Sequence, residues 1–366
     1  MAYELNLCLE RIYGQGSLFA NSKDKWKHYF QAYLENINTQ REQGLVPLYY
    51  ENPLGVQFEL THRCNLKCIQ CYNNSGGHKS AEMSREMWLD IARQVREMGV
   101  FECVISGGEP LICDYVFDVM DVLHEYQTQF VFITNGMLLT NENIKRLLKY
   151  RYNWIQVSID GFTPETHDQI RGVKGSWEAA VVGLKKLCDL GMPTVAACTV
   201  SKRNLAEVGD FIDMCGYLGV TRVVLGEMIP VGRAGMNLKE ELLTQEDLNY
   251  LEEIINEKRD KWQDIMEISV PLPMEIQVKL KVLQPNGVML IRPDGNVRID
   301  CIIPFSVGNL FAEPLEAAWE RAKMVQYNKD LHQYVLEIES NSNILESKFG
   351  VSYVTEDYSI AKAEGC

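Results

Sequence analysis

From residue 55 to about 230 the chain alternates short apolar runs with longer stretches of helical period, and no other feature limits its fold as much. The runs are GVQFELT (55–61), FECVIS (101–106), FVFITN (130–135), WIQVSID (154–160), TVAACTV (194–200) and RVVLGEMI (222–229). Between them lie helix-forming stretches such as SREMWLDIARQVREMG, NENIKRLLKY, WEAAVVGLKKLCDLG and LAEVGDFIDMCGYLG, each closing near a Gly or before the next apolar run. Strands joined through helices run parallel, with right-handed crossovers. Six such units fall short of the eight that close a barrel. The sequence therefore predicts an α/β fold, a partial (β/α)6 barrel over 46–235.

The rhythm stops after VGRAG (231–235). LTQEDLNYLEEIINEKRDKW reads as a charged helix pair, and EPLEAAWERAK as a short helix. Between them, GVMLIRPDGNVRIDCIIPFSVGNL places alternating apolar residues on both sides of Pro293-Asp294-Gly295-Asn296, a hairpin signal. These elements predict a small α+β C-terminal module over 236–330. Ahead of the barrel, 1–45 reads as a helical extension with Trp26, Tyr29, Phe30 and Tyr33 at helical intervals, ending near Gly44. Such a stripe is core before it is a ligand site. The tail 331–366 is acidic, weakly periodic and ends on Cys366, and no fold is assigned to it.

Lys and Arg number 36 against 50 Asp and Glu, a net charge of −14 in 366 residues, which repels polyphosphates and argues against nucleic acid as a partner. No run approaches the ~18 apolar residues of a membrane span. The start, MAYELNLCLERIYG, lacks the basic and apolar regions of a signal peptide. A soluble, cytoplasmic protein without a membrane partner is expected.

Cysteine stands at 8, 64, 68, 71, 103, 113, 188, 198, 215, 301 and 366, an odd set in a large chain, so metal or redox chemistry is expected of any clustered members. One cluster exists. Cys64-Asn-Leu-Lys-Cys68-Ile-Gln-Cys71-Tyr72 is a C-x3-C-x2-C run directly after the first expected strand. Three thiolates on one loop suit a four-iron cluster and leave one iron open. Structural zinc asks for four ligands, and no second C-x2-C pair stands nearby; His62 completes such a site only if the loop folds back.

On these residues the chain resembles the radical SAM superfamily, over about 55 to 235. The resemblance implies a [4Fe-4S] cluster on Cys64, Cys68 and Cys71, with S-adenosyl-L-methionine chelated at the open iron and cleaved to a 5′-deoxyadenosyl radical that abstracts a substrate hydrogen. It also implies an electron donor such as flavodoxin or ferredoxin. Tyr72 matches the aromatic of the motif, and Gly107-Gly108-Glu109-Pro110, one unit later, matches the segment that holds the methionine amino group. Two glycines allow close backbone approach, and Glu109 offers an acceptor for an ammonium. Asn135 closes the third strand. Ser158 and Asp160 close the fourth, near the expected ribose or methionine end of the cofactor. Arg171 matches a position that pairs with the cofactor carboxylate. Asn135 and Asp160 suit a turn or helix cap equally well.

The module resembles SPASM, or its shorter relative twitch, found on peptide-modifying members with auxiliary clusters. After residue 235 only Cys301 and Cys366 remain, too few for a second four-iron cluster. A redox-neutral outcome on a ribosomally made precursor peptide is therefore expected, single-site Cα modification such as epimerisation, with Cys301 as candidate hydrogen donor and an inert buried thiol as the alternative. Cys103, Cys113, Cys188, Cys198 and Cys215 read as core thiols. Arg233 is read either as a substrate or cofactor contact or as a salt-bridged surface residue. Competing readings are oxidative thioether or carbon–carbon crosslinking, radical chemistry on a small metabolite, and a non-enzymatic iron–sulfur redox sensor.

Overall fold

The computed structural model describes residues 35–36, 39–77, 81–126, 128–272, 274–303, 305–338 and 358–359. Strands β1 (Gly55–Glu59), β2 (Glu102–Ser106), β3 (Gln129–Thr134), β4 (Tyr152–Ser158), β5 (Thr194–Val200) and β6 (Arg222–Glu227) pair in chain order, all parallel. The expected six-unit parallel sheet is thus present. The first unit shows how the pattern works. In the helix Arg85–Glu97, Trp88, Ile91, Ala92 and Val95 recur at helical spacing and are buried, while the Ser84 side chain accepts from the Met87 amide at 3.3 Å and caps the start.

The sheet continues past both ends of this set. β7 (Glu267–Ser269) adds parallel to β6, and β8 (Val288–Ile291) adds parallel to β1. β8 and β9 (Asn296–Arg298) form the antiparallel hairpin expected around Pro293 and Asn296, β10 (Phe305–Asn309) follows antiparallel, and β11 (Tyr358–Ser359) lies parallel to β10. Among the described residues one sheet runs β11-β10-β9-β8-β1-β2-β3-β4-β5-β6-β7.

The stretch expected as a charged helix pair is a single helix, Gln245–Trp262. Its Thr244 and Asp247 form a capping box, and no Gly or Pro interrupts it, so nothing breaks the run. EPLEAAWERAK is helical over Leu315–Ala322. Part of the tail left without a fold is the helix Lys329–Glu337. Trp26, Tyr29, Phe30 and Tyr33, like Cys366, lie outside the described residues. Trp319 is buried and its indole N–H donates to the Glu51 carbonyl at 2.6 Å, tying the module to the segment ahead of β1. No helix among the described residues is long and apolar enough to cross a membrane.

Candidate active site

The loop bearing Cys64, Cys68 and Cys71 leaves the C-terminal end of β1, where open α/β sheets place their ligands. Leu60 and Thr61, expected to prolong the strand, instead carry the chain into this loop. Thr61 accepts from the Gly108 amide at 2.6 Å and Arg63 from the Glu109 amide at 2.9 Å. A side chain on Gly108 would collide with the Arg63 carbonyl, which is why glycine stands there. The helix Pro164–Arg171 offers its unsatisfied terminal carbonyls to the same loop, accepting from Lys67 at 3.0 Å (Arg171) and Ile69 at 2.9 Å (Ile170).

A third support follows β6. Gly232 lies hard against the Tyr72 carbonyl. Arg233 donates its Nε to the Cys68 carbonyl at 2.7 Å and its Nη1 to Ser75 O at 2.8 Å and Asn74 Oδ1 at 3.1 Å. Arg233 was read as a ligand contact or a surface salt bridge; the guanidinium instead braces the cysteine loop from within.

Each of the three sulfurs has a donor. Cys64 Sγ accepts from Leu66 N at 3.4 Å and Asn135 Nδ2 at 3.9 Å, Cys71 Sγ from Ser75 N at 3.4 Å, and Cys68 Sγ from Arg171 Nη1 at 3.9 Å. Burial pushes the Cys64 thiol up to about 11 and also raises Cys68, where the Arg171 charge opposes it. Such thiols become thiolates when a metal supplies the opposing charge. Among the described residues no three His, Cys, Asp or Glu side chains gather on one ion. A cubane takes its thiolates on separate irons, whereas structural zinc gathers four ligands on one. Two buried polar atoms at the loop, Ser75 Oγ and Gln70 Oε1, also have no hydrogen-bond partner. The donor set and these open atoms fit a [4Fe-4S] cluster held by Cys64, Cys68 and Cys71.

The strand ends converge as expected, with differences in what the side chains do. Glu109 is fully buried. Its carboxylate accepts from Thr134 Oγ1 at 2.8 Å, the Asn135 amide at 2.8 Å and the Leu111 amide at 3.2 Å, so three of about four lone-pair directions are occupied. Burial outweighs these bonds and raises it to about 7. Pro110 opens the short turn that follows, and Gly107 adopts a positive φ of 137° beside Thr61. Asn135 Nδ2 reaches Asn65 Oδ1 at 2.7 Å as well as Cys64. Ser158 is half-buried at the end of β4.

Asp160 is a hub. Its carboxylate binds Arg171 Nε at 2.6 Å, Gln70 Nε2 at 2.5 Å and the Thr199 amide at 2.8 Å. Gln70 was missed in the sequence, although its place between Cys68 and Cys71 was the available signal. It lines a small cleft beyond the ends of β5 and β6, together with Ile170, Thr199, Met228 and Arg203.

Tyr72 faces the module instead. Its hydroxyl donates to Glu59 Oε1 at 2.7 Å, and Glu59 also accepts from Asn73 at 3.1 Å and lies 3.8 Å from Arg292. His62 pairs with Asp294 at 3.8 Å, so it is directed to the hairpin turn. Cys301 belongs to this group. The half-buried thiol lies within electrostatic reach of Tyr72, Lys281 and Glu59, and its neighbour Asp300 is ion-paired with Lys281. Burial raises the Cys301 thiol, with Lys281 opposing. Cys103, Cys113, Cys198 and Cys215 are buried in the core, as expected, and Cys188 is half-buried beside Thr194.

A parallel sheet that ends in a three-cysteine loop, a GGEP turn and an Asp–Arg pair defines a class. Residues 58–215 match the family described as Radical SAM superfamily, whose members use a [4Fe-4S] cluster and S-adenosylmethionine. Among individual proteins, it is 30% identical over 216 residues to the sporulation killing factor maturation protein SkfB of Bacillus subtilis, covering 59% of this chain and 52% of that one. It is 27% identical over 300 residues to the AdoMet-dependent heme synthase of Methanosarcina barkeri, covering 76% and 85%. Crystallographic SuiB of Streptococcus suis bound to S-adenosylmethionine has the same fold, with TM-score 0.64 and 15% identity over 93% of this chain and 85% of that one. The chain spans about half the length of SkfB.

Proposed function

We propose that this protein is a radical SAM enzyme that modifies a ribosomally made precursor peptide at a single Cα, with epimerisation as the reaction. When bound, the cluster and S-adenosylmethionine supply one-electron reductive cleavage to a 5′-deoxyadenosyl radical, which takes a hydrogen atom from the substrate. The chain's own residues do the rest. Cys64, Cys68 and Cys71 hold the cluster, and the Gly107–Pro110 turn with Glu109 receives the methionine ammonium. Asn135, Ser158 and Asp160 border the ribose and methionine end. Cys301 returns a hydrogen atom to the Cα radical from the opposite face. Its thiyl is restored by one electron and one proton, the electron coming from a flavodoxin- or ferredoxin-class donor. Free thiols throughout the described residues suit a reducing, cytoplasmic setting.

What supports this reading is that Cys301 is near enough for its charge to act on Tyr72, the residue that follows Cys71. The likeness to a maturation protein, and to a fold that has also been solved with a precursor peptide, supports the substrate class. Co-expression with candidate precursor peptides in deuterated water tests it. One deuterium at a Cα with inverted configuration is the expected product, and a loss of two hydrogens refutes epimerisation in favour of crosslinking. A second reading, radical chemistry on a small metabolite, is favoured by the heme synthase, which matches along most of its length. Turnover of a tetrapyrrole with no peptide modified would establish that one. Complete absence of 5′-deoxyadenosine from cluster-loaded protein given reductant and S-adenosylmethionine would leave only the sensor.

A further inference from the structure

We propose that Arg171 is a positioning residue for the cluster itself: anchored on Asp160, its guanidinium donates to the Cys68 sulfur and raises the reduction potential of the cluster on Cys64, Cys68 and Cys71. The resemblance to the family implies a different task for it, pairing with the cofactor carboxylate. The geometry ties its guanidinium to Cys68 and Asp160 instead. Nη1 is 3.9 Å from Cys68 Sγ, and Nε is 2.6 Å from Asp160 Oδ2. Its side chain is only 12% exposed.

The three sulfurs are not equivalent. Cys64 and Cys71 accept from neutral donors, the Leu66 and Ser75 amides and the Asn135 carboxamide, whereas Cys68 alone among them faces a cation. A charged donor withdraws electron density from a thiolate ligand more strongly than a neutral one, and so stabilises the reduced cluster.

The cation is held there from four elements. Asp160 Oδ2 also binds Gln70 Nε2 at 2.5 Å from the cysteine loop, and Oδ1 accepts from the Thr199 amide at 2.8 Å at the end of β5. The Asp160 amide donates to His167 Nδ1 at 3.1 Å on the helix that carries Arg171, and the Asp160 carbonyl accepts from Asn204 at 3.0 Å. A carboxylate fixed on every side leaves the guanidinium little freedom to swing away from Cys68. It also cancels much of the charge that would otherwise recruit a cofactor carboxylate.

The test uses the full chain, reconstituted anaerobically, as wild type, Arg171→Gln and Arg171→Lys, with midpoint potentials from redox titration followed by electron paramagnetic resonance before S-adenosylmethionine is added. With about four irons per chain in each protein, Arg171→Gln is expected to shift the potential in the negative direction and Arg171→Lys to recover part of the shift. S-adenosylmethionine dissociation constants stay within about threefold of wild type. An unchanged potential in loaded Arg171→Gln overturns the proposal, and a loss of cofactor affinity alone restores the carboxylate role. Should Arg171→Gln fail to load, the equally uncharged Arg171→Met decides by the Fe–S(Cys) stretching bands in resonance Raman: shifted bands with a more negative potential support the proposal, and unchanged bands and potential overturn it. The proposal rests on the cluster reading, whose own failure shows separately as wild-type iron that survives replacement of all three cysteines.

Discussion

In the proposed reaction Cys301 and Cys68 ask opposite things of sulfur, one to remain a thiol and the other to become a thiolate. Burial favours the thiol at both, and at Cys68 the Arg171 guanidinium stands in donor range. Cys301→Ser is therefore expected to leave uncoupled 5′-deoxyadenosine formation within about twofold of wild type while abolishing Cα deuteration in the peptide. Loss of both activities would make the residue structural. The cysteine triad and the GGEP turn were legible because their chemistry lies in local spacing. Arg233 and Gln70 were not, because their partners are loop carbonyls and a carboxylate brought close only by the folded sheet. Glu109 was legible as an acceptor, but its commitment to Thr134, Asn135 and Leu111 depends on where β3 ends.

At the level of elements, the strands of the parallel sheet were readable because they are short apolar runs separated by stretches of helical period. The helix Gln245–Trp262 was misread as a pair because its charges suggested a break that its backbone does not make. Those charges have a purpose. Asp213, on the helix Val208–Leu218, receives the Trp262 indole at 2.8 Å and the Lys258 and Lys261 ammonium groups at 2.9 Å each, joining the two helices. Burial raises its carboxyl, but these three donors outweigh it and hold the value at about 2. Because the folded value lies below the unfolded one, this contribution is complete above the ordinary carboxylate range and is lost as pH falls toward about 2. Thermal melts of wild type and Asp213→Asn should differ most near neutrality and converge as the medium is acidified through that window. A constant difference at every pH would rule the linkage out.

Across the whole molecule, strands after residue 235 extend the barrel's sheet at both edges, since β8 pairs with β1 and β7 with β6 in one continuous sheet. Strand order of this kind was beyond the sequence, because β8 and β7 reach opposite edges from a single stretch after residue 235 and local pattern does not say which edge a strand will join. Trp319 is the largest anchor of the far edge to the segment ahead of β1, so Trp319→Ala should cost about 3–5 kcal/mol, read as a lowered denaturation midpoint in urea. The cysteine loop is held by protein at three places: the GGEP backbone, the end of the helix Pro164–Arg171, and Gly232 with Arg233. Small zinc domains collapse without their metal because nothing else shapes the binding loop. Chelation of iron from the reconstituted protein should leave far-ultraviolet circular dichroism nearly unchanged, and iron and sulfide should restore the original absorbance without a refolding step. Oxygen damage to the cluster would then be an injury the cell can repair in place, sparing it the synthesis of a new chain.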